Sequence, residues 1–593
     1  MNARQACLGS AALLVLAGVI ACASAPETEP PATPDPADVI YRGGPILTME
    51  DAQPLAEALA IEQGRIVAIG DAADLAAYEG PGTRIVDLTG RALMPGFVDG
   101  HSHLSLTAAK LATVNLDPPP AGPASSIAAI QRSLTERLAN VGPGETGWLV
   151  GWGYDHAMLA EKRHPTRFDL DAVSQGVPIL LIHFSSHQVV LNSRGLELAD
   201  ITAETPDPPG GQIGRVRGSQ EPNGILQENA MYGVTFPVLD ALLGGAAHPG
   251  GPPDTNAMDR LSRAVEHYVA NGYTTIGDMA ATPLSVRMLR AMADAERLPV
   301  DVFAAALTKA YSPAEVAELY SADYRGGFRV GGAKIVLDGG SPGRTAYLRE
   351  PYHVQLEGEW NYRGFPHYAS QADVDDVVTR HLAAGHPIFV HALGDAAVDQ
   401  AIHALRTARQ VVPDRERGAQ LIHVQQVQDD QLDALADLEA RLTFQVAHNF
   451  YFGDFHLREI YGPARTRRLN PARSAIDRGL SVSLHHDSPV HPVDPWMLVW
   501  AAVNRTTRSG GVIGPGERIT PLEALRGSTI EAARQLHEAA DKGSLAVGKR
   551  ADLIVLDRNP LETEASALNE IRVLETIKDG VSVFSAYGGA SDD

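Results

Sequence analysis

The sequence predicts an α/β fold: a distorted (β/α)8 TIM-like barrel with a small composite β-sandwich formed by both chain ends. Eight short apolar runs rich in β-branched residues alternate with helix-patterned stretches, which is the texture of parallel strands buried on both faces. Strand-sized pieces separated by turn signals occupy both ends of the chain. No Gly-x-Gly-x-x-Gly opens a helix after the first strand, which argues against a dinucleotide-binding sheet.

Taken in order, the elements begin with a leader. Arg4 is the only charge before an apolar run from Ala11 to Ala21, too short for a bilayer of about 30 Å. Residues 1–21 therefore read as a signal peptide. Val19-Ile20-Ala21-Cys22 resembles a bacterial lipobox, which implies diacylation of Cys22, and residues 22–37, with five prolines and no aromatic side chain, form a disordered tether. The expected location is the cell envelope, at the periplasmic face of the outer membrane, since Ala23 rather than an aspartate follows the cysteine. Residues 38–93 are the first part of the sandwich, with Val39-Ile40-Tyr41, Ile46–Met49 and Arg65–Ile69 as strands. The barrel spans 94–520. Its strands are centred on Phe97-Val98, Tyr273–Ile276, Val300–Phe303, Ala333–Leu337, Ile388–Val390, Gln420–Ile422, Leu442–Phe444 and Leu480–Leu484. A stretch of about 104–258 is too long for one βα unit and reads as an insertion over the barrel mouth. Residues 521–593 supply the last barrel helix region and the second part of the sandwich, around Leu553–Leu556 and Val581–Phe584.

Of 593 residues, 44% are hydrophobic and 20% charged, the balance of a globular protein. A formal net charge of −23 excludes a phosphate-neutralising surface for nucleic acid. The two cysteines, Cys7 and Cys22, both precede the folded body, which therefore holds neither an internal disulfide nor a cysteine zinc site.

Ligand-type residues recur at the ends of barrel strands. His101 and His103 follow Phe97-Val98 with period-two spacing, so both imidazoles face one side. His391 ends the fifth strand, His423 the sixth, and Asp487 follows the eighth. Four imidazoles and a carboxylate at one rim form a nitrogen and oxygen set that suits zinc and similar divalent ions. Lys334 is a cation inside an apolar strand. Two readings stand for it: a salt bridge to Asp338, or a carboxylated lysine that bridges two metals.

Met94–His103, Lys334–Gly339, His391–Asp395, His423-Val424-Gln425 and Asp487-Ser488-Pro489 resemble, in that order, the metal-dependent amidohydrolase superfamily. Gly151–Asp155, Asn192-Ser193, Gly210-Gly211 and the closing run Gly543–Leu553 place the resemblance in its amidohydrolase-3 group. The resemblance implies one or two divalent ions, zinc foremost: His101 and His103 hold one with Asp487, His391 and His423 hold the second, and carboxylated Lys334 bridges them. Many relatives carry Gly-Ser before the aspartate, where this chain has His485-His486. These two are expected to pack or to touch substrate, with His486 the substrate-binding candidate.

Gly339-Gly340-Ser341-Pro342-Gly343 satisfies a nucleophile-elbow pattern, but Pro342 lacks the amide N–H that an oxyanion hole takes from the residue after the serine. A turn lining the pocket is the better reading. Within the insertion, Trp152 and His187 are candidate substrate contacts. Asp278 and Gln445, at strand ends two and seven, face the mouth without an assigned role.

The expected function is hydrolysis of a non-peptide carbon–nitrogen bond in a small molecule by a metal-bound hydroxide, with Asp487 as proton shuttle. Hydrolysis of an ester or lactone by the same centre is the alternative enzyme. A lipid-anchored solute-binding protein is the alternative from another class.

Overall fold

A computed structural model describes residues 34–119, 121–142, 147–244, 255–355, 360–413 and 419–587. The expected signal peptide, Cys22 and most of the tether lie outside the described residues. Among the described residues, no helix is long and apolar enough to cross a membrane.

The centre of the molecule is an all-parallel sheet of eight strands that neighbour one another in chain order. They are β1 (Phe97–Val98), β2 (Tyr273–Ala281), β3 (Asp301–Leu307), β4 (Phe328–Val336), β5 (Ile388–Ala392), β6 (Gln420–His423), β7 (Arg441–Phe444) and β8 (Ser481–Leu484). Parallel neighbours require a crossover, and helices such as Pro283–Asp294, Asp395–Val411 and Asp429–Asp437 supply it. The first of these starts where its sequence says it should: Thr282 accepts from the Ser285 N–H and Pro283 opens the first turn. Every residue of β3, β5 and β6 is buried, which is why these strands read as unbroken apolar runs.

The sheet curls. Among the described residues β1 and β8 share no ladder, yet the segments after them are joined: the Asp487 N–H donates to the His101 carbonyl (3.3 Å) and the His103 N–H to that of Ser488 (2.9 Å). Across this seam the Thr107 and Ser488 hydroxyls lie 3.0 Å apart, although 381 residues of chain separate them.

Both chain ends enter a second sheet of eight strands. Ala92–Pro95 pairs with Val39–Leu47 on one side and with Leu553–Leu556 on the other. Alternation decides its faces: Leu93, Leu553 and Val555 enter a small core with Tyr41, Leu59 and Ile61, whereas Met94, Ile554 and Leu556 join the main core. The ladders define this as one composite sheet.

The stretch between β1 and β2 carries a six-stranded sheet of its own, in the order Gly211–Arg215, Pro222–Glu228, Gln188–Leu191, Ile179–His183, Leu149–Tyr154, Val114–Asn115. Here too side chains alternate. Val150, Trp152, Leu180 and Ile182 pack into the main core, and Leu149, Ile179 and Leu181 into a separate one with Ile130 and Leu134. At Gly153 the register slips, and Tyr154 lands on the side of Leu149. The helix Thr255–Ala270 then leads into β2.

Candidate metal centre

The C-terminal ends of the parallel strands bring His101, His103, Lys334, His391, His423 and Asp487 together. The Asp487 Oδ1 lies 3.3 Å from His101 Nε2 and 3.2 Å from His103 Nε2, and its Oδ2 lies 4.0 Å from His423 Nδ1. Ring centroids separate His101 from His423 by 5.1 Å and His391 from His423 by 4.4 Å. His391 pairs with Val336 across the β4–β5 ladder, two residues beyond Lys334 on the same strand. The backbone that presents these groups is strained. His423, Val424 and Asp487 have φ of 73°, 35° and 59°, a region that a β-branched residue such as Val424 rarely enters.

Burial pushes His101, His391 and His423 well below the usual histidine range, so their rings are neutral and keep a lone pair. Burial would raise Asp487, but the imidazoles packed against it, His101 foremost, hold its carboxyl well below the usual range. Burial lowers Lys334 to about 7 against the pull of Asp487. The centre is rich in buried polar atoms that have no hydrogen-bond partner: both nitrogens of His101 and of His485, Nδ1 of His103 and of His423, Lys334 Nζ and Asp487 Oδ1. Orphaned buried polar atoms are costly, and so many converging at one place fit a divalent ion.

The neighbours of these groups are fully engaged. Asp338 accepts from the backbone N–H groups of Leu393 (2.9 Å), Gly394 (2.8 Å) and Tyr347 (2.9 Å). Its carboxylate sits 3.4 Å from His391 Nε2, and no ion pair to Lys334 occurs among the described residues. That removes the salt-bridge reading of Lys334. Ser341 donates to Gln425 Oε1 (2.7 Å), and among the described residues no hydrogen bond joins its hydroxyl to an imidazole, so the elbow-like pattern is a turn. Asp278 accepts from the Ser105 hydroxyl (2.8 Å) and so anchors the helix that follows His103. Gln445 donates to Asp487 Oδ2 (3.2 Å).

The two consecutive histidines part company. His485 joins the centre, its ring 4.9 Å from both His101 and His423, and it forms with His101 and Asp487 a group whose ligand atoms lie within 4.8 Å of one another. His486 turns the other way, against Tyr268 and Tyr273 and 3.8 Å from Asp99. It is absent from the walls of the cavity, which corrects its expected substrate contact: period two along the strand end puts it opposite Asp487.

A cavity of about 120 Å³ opens above the centre, lined by His103, Lys334, His391, His423 and Asp487 below and by the insertion above. It is small beside the roughly 300–1,000 Å³ of sites for drug-sized ligands. Trp152 and His187 both line it, and the Trp152 indole N–H is buried without a partner. His187 Nδ1 lies 2.9 Å from Glu228 Oε2, and this carboxylate overcomes burial to raise the His187 pKa. Glu228 also holds His367 Nε2 (3.1 Å) and has φ of 51°. Glu228, Ser186 and Thr235 escaped the sequence reading, because only the folded insertion brings them to the site; Lys309, two residues past β3, lines the cavity as well and was also missed. The hydroxyls of Ser186 and Thr235 are buried and unpartnered beside the cavity.

The sequence profile of the amidohydrolase family matches residues 84–584. An N-substituted formamide deformylase of Arthrobacter pascens is 28% identical over 567 residues, 93% of this chain and 99% of that protein. The putative amidohydrolase YtcJ of Bacillus subtilis is 26% identical, over 92% of this chain and 99% of its own length. Among solved structures, an uncharacterised metal-dependent hydrolase of Pyrococcus furiosus is similar with TM-score 0.64 and 26% identity, covering 88% of this chain and all of that one. A counterpart from Pyrococcus horikoshii has TM-score 0.67 and 24% identity, covering 89% and 99%.

Proposed function

The chain belongs to the amidohydrolase family, and from that premise we infer that it hydrolyses the carbon–nitrogen bond of a small non-peptide amide. The observation that carries this reading is the set of buried, unpartnered imidazole, carboxylate and amine groups at the floor of an apolar-walled cavity. His101, His103, His391, His423, His485 and Asp487 would hold one or two divalent ions, and zinc suits their nitrogen and oxygen donors. When bound, such ions polarise a carbonyl and lower the pKa of water towards about 7.

The remaining chemistry belongs to side chains. Asp487, kept ionised and oriented by the Gln445 amide, accepts the proton of the attacking water and returns it to the departing nitrogen. Burial leaves the Lys334 amine able to lose its proton near neutrality, in which state it adds to carbon dioxide and becomes a carbamate anion among the imidazoles. His187, fixed by Glu228 through Nδ1, presents its other nitrogen towards substrate, and the Trp152 N–H is a second donor. An amide nitrogen leaves poorly without a proton, whereas an alkoxide from an activated ester needs less help. Two proton-bearing groups at one cavity therefore favour the amide. Strand order and the bonds across the seam support reading the central sheet as a distorted (β/α)8 barrel, with the two chain ends as its sandwich.

The test is chelation and reconstitution with zinc, followed by turnover of N-formyl and N-acyl amides beside matched esters. Amide turnover that disappears with the metal is expected. Turnover of esters alone, or activity indifferent to chelation, overturns the reading.

Cys22, preceded by Val19-Ile20-Ala21 and followed by the proline-rich run, supports export and anchoring at the periplasmic face of the outer membrane. Cys22→Ala should move the protein from the membrane to the soluble fraction. Mass spectrometry of the membrane fraction should find Cys22 diacylated at the N-terminus, and a chain that begins elsewhere without lipid rejects the anchor.

A further inference from the structure

On the face of the insertion sheet opposite Trp152 and Ile182, three histidines from one strand end and one loop meet. His183 ends the strand Ile179–His183, and pairs across the ladder with Tyr154, the last residue of Leu149–Tyr154. His156 and His164 lie on the loop that follows Tyr154. His156 Nδ1 is 3.2 Å from His183 Nε2, and the His164 ring lies on that of His156 with centroids 4.0 Å apart and planes at 21°, so one of these two rings turns out of the stack when both face a common ion. One ligand atom from each of the three lies within 4.8 Å of the others. Two nitrogens on a tetrahedral zinc, each at about 2.0–2.1 Å, stand roughly 3.3 Å apart, so the His156–His183 pair already has the spacing of two ligands.

The surroundings agree. His183 Nδ1 is 2.8 Å from the Ser185 hydroxyl and His164 Nδ1 is 3.1 Å from the Tyr154 hydroxyl, outer contacts of the kind that orient metal-bound imidazoles through the nitrogen the metal does not use. The Asp155 carboxylate, itself buried, lies 4.0 Å from His156 Nδ1 and adds negative charge beside the cluster. Arg344, whose charge faces Glu459 at 3.6 Å, is a cation near His156, and Arg508 and Lys162 are cations near Asp155. His183 is fully buried whereas His156 and His164 are partly exposed, which leaves an ion a way in from solvent.

We propose that His156, His164 and His183 form a second divalent-metal site of the zinc type, separate from the barrel-end centre, which clips the two strand ends of the insertion to the 155–166 loop. Solvent completes the coordination. The ion acts as a cross-link in a region whose own core is small, and it holds in place the strand ends whose opposite face, through Trp152 and Ile182, walls the cavity.

The experiment counts metal in the full chain after chelation and reloading with zinc, for wild type and for His156→Ala/His164→Ala. The double variant should bind about one ion fewer per chain, the capacity of one such site. A second arm loads cobalt into a His101→Ala/Asp487→Ala/His391→Ala variant, in which both ion positions of the strand-end set lose ligands. A cobalt ligand-field band of tetrahedral intensity should remain there and vanish when His164→Gln is added, with the circular dichroism spectrum unchanged. Equal metal content in wild type and a folded double variant, or a cobalt band indifferent to His164→Gln, would reduce the cluster to a hydrogen-bonded relay. In such a relay the Ser185 amide, 3.4 Å away, donates to His183 Nδ1 and His183 Nε2–H donates to His156.

Discussion

Asp487 is the residue on which the proposed chemistry turns, and its two oxygens are used differently. Oδ2 accepts from Gln445, while Oδ1 faces His101 and His103 and has no hydrogen-bond donor. Asp487→Asn preserves size and one oxygen donor but carries no proton. We expect metal content to stay near that of wild type while turnover falls by about 10²–10⁴, the usual worth of a positioned proton carrier. Near-normal turnover in a metal-loaded Asn variant would place the base elsewhere. At this scale the residues that gather at the centre were legible because strand-end histidines and an aspartate recur at regular chain spacing. His485 was also within reach of the sequence, since residues two apart share a side and His485 therefore goes with Asp487. Glu228 and Ser186 were not, because their place at the cavity depends on how strands of the insertion cross the mouth.

At the scale of elements, the slip at Gly153 decides what the insertion presents to each side. Its φ is 111°, and a Cβ there would stand 2.0 Å from the Asp117 carboxylate and 3.1 Å from the Asp117 amide nitrogen. Gly153→Ala should destabilise the protein by about 1–3 kcal/mol, the cost of a side chain in such a backbone conformation. Thermal unfolding measures it, and a variant as stable as wild type would mean that the strand can shed the irregularity. The strands of the central sheet were readable as apolar runs because both of their faces are buried. The insertion strands were hidden, since their alternation serves two cores and Gly153 breaks the period. The sheet shared by the chain ends was foreseeable from texture alone, but its pairing of Ala92–Pro95 with Leu553–Leu556 depends on partners far apart in sequence.

For the whole molecule, the join between the end sheet and the parallel strands is ionic and buried. Asp301, at the start of β3, meets Lys542 and, at 2.8 Å, Lys578, which also binds Asp552 at 2.9 Å. Burial would raise Asp301, yet the two lysines lower it to about 2. A depressed carboxyl stabilises the fold above its unfolded value near 3.8, and the contribution is lost as pH falls through about 2. The shift corresponds to about 2 kcal/mol. The stability deficit of Asp301→Asn relative to wild type should therefore shrink by that amount between pH 7 and pH 2. A deficit that stays constant across this range would show that the lysines do not hold the carboxyl down.

The seam between β1 and β8 also sets a clock. His101 and His103 are made early and Asp487 late, and they become neighbours only when the end of the last strand meets that of the first. Closing so long a loop is slow, and metal capture needs all of the ligands at once. An ion held by this set would therefore be captured only after the two ends of the sheet have met. A ribosome-bound or truncated chain that ends before β8 lacks the means to keep it.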